Sequence, residues 1–96
     1  MTSGVTIMAR METDSAGMAV RTETKPNAEH LFDLGVLYAT GRDVEQDLVA
    51  AHKWFNLAAV SGYHEAAFHR QQIANEMSAK DIAVAQRAAR EWLRLH

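Results

Sequence analysis

Ninety-six residues are enough for one domain, and a composition of 48% hydrophobic and 23% charged residues with a single proline is that of a globular chain. A formal charge of -2 argues against a general nucleic-acid binder, which needs a basic surface to displace counterions. The lack of cysteine excludes a disulfide framework, a thiolate metal site and a thiol nucleophile, and no apolar run approaches the length of a membrane span.

In chain order, residues 1–26 hold isolated hydrophobics among Thr, Ser, Gly and mixed charges, without a period of 2.0 or 3.6. Such a stretch cannot bury enough apolar surface to offset its ordering entropy and reads as a disordered N-terminal tail. Met1, Met8, Met11 and Met18 all fall in it, so the translation start itself is open among them. Residues 1–8 lack the apolar stretch of a secretory signal, and a cytoplasmic location is the expectation.

From Asn27 to His96 the pattern predicts four helices. Asn27 is a plausible N-cap after Pro26, with Glu29 in the first turn. Leu31, Leu34, Leu37 and Tyr38 then mark one face at helical spacing, and Gly41 ends the segment. Asp47 caps a second helix that turns Ala51, Trp54, Phe55 and Ala58 inward and stops at Gly62. A third helix is predicted from about His64 to Met77, with Ala66, Ile73 and Met77 in phase. Ser78 to Asp81 resembles a capping box with Asp in place of Glu or Gln, opening a fourth helix with Ile82, Ala85, Ala89 and Trp92 inward. Connections this short predict that each helix lies antiparallel to the last.

Ala51 to Phe55 is echoed by Ala89 to Leu93, with Trp54 and Trp92 in register. Small residues (Gly35, Ala51, Ala58, Ala66, Ala85, Ala89 among them) sit where helices face one another. A repeat of this length built from two antiparallel helices is the size class of helical solenoids. The stretch Leu34-Gly35-x-Leu37-Tyr38-x-x-Gly41, continuing through Val44, Gln46, Asp47, Ala51, Trp54, Phe55, Ala58, Ala59 and Gly62 to Ala66, resembles one full Sel1-like repeat. These repeats are relatives of the tetratricopeptide repeats. Two positions depart: Leu31 stands where the family usually has Ala, and Asp43 where it usually has a second Gly, which would allow positive φ without cost. The second unit is degenerate, lacking the Leu-Gly-x-x-Tyr-x-x-Gly stretch, and resembles the closing segment of such an array.

The resemblance implies an all-α fold: two antiparallel helical hairpins stacked as a short right-handed α-solenoid over residues 27–96. Leu34, Gly35, Tyr38, Gly41, Ala51, Trp54, Ala58, Gly62, Ala66 and Trp92 would be its repeat-packing positions. It also implies an adaptor or scaffold that binds another protein, often in bacteria, with no catalysis. The alternative is a structural subunit of a homo-oligomer with no separate client protein.

The residues themselves offer little chemistry. His64 and His69 invite comparison with a zinc-protease helix, but that motif sets its histidines four apart, about 40° round the helix. Five apart they diverge by about 140°, and His69 reads instead as a packed or half-buried side chain near the phase of Ala66 and Ile73. His30 and Asp33 have helical spacing but no accompanying nucleophile motif, and no Gly-rich phosphate loop exists. No enzymatic activity, cofactor, metal, nucleic acid or membrane is therefore expected. Arg87, Arg90 and Arg94 form a stripe that reads as a solvated face suited to the C-terminal helix dipole. Trp54 and Trp92 fall in core phase. Phe55 and Tyr63 read as the exposed aromatics, and with Phe32 and Val36 they are the expected protein-interaction residues. Apolar groups surround much of the first helix, so the first hairpin is expected to carry the association surface, toward a second copy or a partner, with the last hairpin as a cap.

Overall fold

The computed structural model describes residues 27–96. The expectations for the tail and the translation start lie outside the described residues. Every regular element described is a helix: α1 (Ala28–Thr40), α2 (Leu48–Val60), α3 (Glu65–Ala74) and α4 (Ala79–Leu95). None of these is long and apolar enough to cross a membrane.

Local chemistry sets the helix starts. Asn27 Oδ1 accepts from the Glu29 amide at 2.7 Å, Asp47 Oδ1 from Ala50 at 3.0 Å, and Ser78 Oγ from Asp81 at 3.0 Å. Each occupies one of the orphan amides at a helix N-terminus. The third helix is shorter than its pattern predicts, and its N-cap His64 makes no side-chain cap bond. At the end of α1, Gly41 adopts the left-handed conformation at φ 75° and its amide donates to the Leu37 carbonyl at 2.9 Å. The chain then turns through Asp43, also left-handed at φ 64°. Gln46 Nε2 ties the turn back to the Ala39 carbonyl at 2.8 Å.

Asp43 thus holds the conformation that a glycine would take without strain. Asp43→Gly is expected to raise stability by up to about 1 kcal/mol, the relief of left-handed strain partly offset by a looser unfolded chain. A urea titration that shows a clear loss instead would mean that the aspartate side chain holds this turn.

The helices pack around α2. Its most extensive contact is with α1, and α3 and α4 also lie against it. The buried set includes Leu31 of α1, Ala51, Phe55, Leu57 and Ala58 of α2, Ala66 of α3, and Ala85 and Ala89 of α4. Six of the small residues expected at helix contacts (Gly35, Ala51, Ala58, Ala66, Ala85 and Ala89) are buried. Trp54 and Trp92 are half-buried and meet edge to face, ring centres 5.9 Å apart, which joins α2 to α4.

One packing expectation is corrected. The sequence predicts α3 and α4 as a closed second hairpin, whereas these two scarcely touch each other and dock separately on α2. A short polar α3 has too little apolar surface to hold α4 along its length. The outer face of α4 is mostly polar, with Arg87, Arg90 and Glu91 exposed, and Leu93 and Leu95 stand exposed at its end.

Candidate functional site

Gly35 opens the first site. It faces Phe55 of α2, and a Cβ built there would lie no more than 3.0 Å from three atoms of the Phe55 ring. The bare backbone of α1 therefore forms the slot that seats this ring. Phe55 is 2% exposed, so the expectation of an exposed Phe55 is wrong: it is a core residue, not a free binding anchor. The missing side chain opposite it decides this.

Around Phe55 the fold gathers an aromatic cluster. Phe32 of α1 lies 5.5 Å from Phe55, 4.7 Å from Tyr63 and 5.0 Å from His69, measured between ring centres. His69 of α3 also stands 5.6 Å from Phe55, half-buried as its helical phase suggests. Phe32, Val36 and Tyr63 are half-buried and pack against the core. Three of the four expected interaction residues (Phe32, Phe55 and Tyr63) thus come together, and Phe32 and Tyr63 form the partly open edge of the cluster. Phe68, next to His69 in the chain, is 63% exposed.

Three carboxylates act on this edge. Burial raises the Tyr63 phenol above its ordinary value, and the nearby carboxylate of Glu65, then those of Glu29 and Asp33, raise it further. The phenol is accordingly neutral at physiological pH. The patch is aromatic at its centre and acidic at its rim.

The second site lies where α2, α3 and α4 converge, in a polar pocket of about 350 Å³. His52, Asn56, Arg70, Gln71 and Gln86 line it, with Ala74 and Ile82 as its apolar part. Arg70 Nη1 donates to Asn56 Oδ1 at 2.7 Å, which fixes the guanidinium over the pocket. His52 is 3% exposed, and its Nδ1 is buried with no hydrogen-bond partner. Sequence reasoning missed this pocket. His52 adjoins the inward Ala51, but nothing local shows that α3 and α4 close over it.

Burial, and then the charge of Arg70, holds the His52 imidazole below its ordinary 6.5. The unfolded chain binds a proton near that value while the native state resists it. The stability from neutral His52 is therefore complete above about pH 6.5 and lost as pH falls toward the folded-state pKa. The melting temperature is expected to fall as pH drops below about 6.5, with the His52 ring signals titrating below 6.5 in nuclear magnetic resonance spectra. A midpoint at or above 6.5 would contradict this account.

The remaining candidates separate. His64 is exposed while His69 is in the aromatic cluster, and His30 and Asp33 are both exposed. Among the described residues, no group of three His, Asp or Glu side chains is arranged to hold a metal ion. Arg87, Arg90 and Arg94 are exposed on α4, with Arg94 paired to Glu91. Trp92 stacks on the terminal His96 at 4.2 Å.

No family model matches the chain, and comparison with curated proteins and with solved structures found no match.

Proposed function

We propose that this chain is a protein–protein interaction module of the Sel1-like repeat type, an adaptor or scaffold without catalysis. The repeat reading is supported by Gly35 and Phe55, which the pattern places on facing helices and which pack directly against each other. The Gly41 turn and the edge-to-face Trp54–Trp92 pair agree with it.

One observation carries the binding role: the partly open Phe32–Tyr63 edge, with exposed Phe68 5.7 Å from His69 of the same cluster and the carboxylates of Glu29, Asp33 and Glu65 near Tyr63. Aromatic groups supply contact area at low entropic cost, and the carboxylates steer partners of opposite charge. The occupant is a segment of another protein that presents apolar side chains together with Lys or Arg.

Phe32 and Val36 pack on the core, so an aspartate at either position perturbs folding along with binding. Phe68 is the cleaner probe. A partner recovered by co-purification is expected to bind the wild-type chain in calorimetry, to bind Phe68→Asp about tenfold or more weakly, and to weaken with added salt. The circular-dichroism melt of Phe68→Asp should match wild type. A partner that binds Phe68→Asp as tightly, without salt dependence, overturns the assignment of this face. Self-association with no foreign partner would replace the adaptor reading with that of a homo-oligomer subunit.

A further inference from the structure

The pocket between α2, α3 and α4 is physically unlike the aromatic face. Five of its lining residues carry polar side chains, and none is acidic. Arg70 is the only lining residue that is a permanent cation, and its bond to Asn56 uses one of five guanidinium N–H groups. A buried polar atom without a partner costs free energy, and His52 Nδ1 is such an atom. His52 and the fixed Arg70 guanidinium line the same pocket, so an imidazole and a cation are placed together for a ligand.

We infer that this pocket binds a carboxylate group, held by charge-assisted hydrogen bonds from Arg70 and by hydrogen bonds from His52 and the Gln86 carboxamide. A carboxylate matches the planar fork of a guanidinium and supplies acceptors only. It suits a neutral imidazole that presents N–H. Burial and Arg70 both keep the ring neutral, so the pocket gains no second cation from it. The Gln71 side-chain amide already donates to Asn75 Oδ1 at 3.2 Å, so Gln71 contributes shape more than donors. A volume near 350 Å³ is in the range of small-ligand pockets and admits the end of a peptide or a small organic acid. In the peptide case, the inference rests on the adaptor reading and adds an acidic group to the partner's chemistry.

The test uses the full-length chain and three probes: acetate, an acetylated Ala-Ala dipeptide with a free C-terminal carboxylate, and the same dipeptide as its amide. The free-acid dipeptide is expected to shift the Arg70 Nε–H and His52 ring signals saturably in nuclear magnetic resonance spectra, while the amide leaves them in place. Comparable binding of acetate would identify a small-acid site; preference for the dipeptide identifies a peptide site. Arg70→Gln should weaken either about tenfold or more. Should that variant fail to fold, the acid-against-amide comparison on wild-type protein still decides. No saturable shift with either carboxylate up to about 10 mM, equal binding of the amide, or tighter binding of inorganic phosphate would overturn the inference. Such a failure leaves the aromatic face untouched, because the Phe68→Asp binding comparison is read separately.

Discussion

Phe55→Ala is expected to destabilise the fold by about 3–5 kcal/mol, and in a domain this small that is most or all of the total. The ring is 2% exposed, fills the slot over Gly35, and contacts Phe32 of α1 and His69 of α3. Removing it leaves a cavity where three helices share an aromatic contact. No disulfide is available to hold them otherwise. Urea denaturation followed by circular dichroism measures the loss, with Phe68→Ala as the control. Phe68 is 63% exposed, and its truncation should stay within about 0.5 kcal/mol of wild type. If Phe55→Ala cost less than about 1 kcal/mol, the ring would not be the joint between α1, α2 and α3.

Gly35→Leu approaches the same joint from the other side and is expected to cost about 3 kcal/mol, the upper end of overpacking penalties. Helix propensity favours the substitution, since glycine is worse than a straight-chain residue by up to about 1 kcal/mol in a helix interior. Packing opposes it and wins. Even a Cβ comes within 3.0 Å of Phe55 ring atoms, and that buried ring has nowhere to go. Gly35→Ala should therefore also destabilise, against its propensity. Combining Gly35→Ala with Phe55→Leu, which removes ring atoms, should give a smaller loss than the two single losses added together. Strict additivity would show that the two positions do not meet.

The features legible in the sequence are those set by neighbours along the chain. Asn27, Asp47 and Ser78 were readable as caps because capping needs only a short polar side chain and an amide two or three residues on. Gly41 was readable as a helix end because left-handed backbone favours glycine. The inward Ala85 and Ala89 of α4 followed from its clear division into apolar and polar faces. Aromatic residues 32 and 63 could be singled out as unusual, but their contact with each other across more than thirty residues could not be.

Tertiary structure decided how much of α2 is buried. Its sequence, LVAAHKWFNLAAV, is apolar on almost every side, so the inward phase of Ala51, Trp54, Phe55 and Ala58 marks only part of what is covered. Phe55 reads both as inward by phase and as an exposed aromatic, and His52 and Leu57 carry no signal of their own, yet all three are buried. The reason is physical. A helix covered on one side buries one stripe, which its own pattern reveals, whereas a helix contacted by α1, α3 and α4 buries whatever those neighbours cover. The bare backbone at Gly35 directs Phe55 inward, and the convergence of α3 and α4 encloses His52 beside Arg70. Caps and helix ends were settled by the order of residues, while the central helix and both candidate sites depend on the other helices that pack against it.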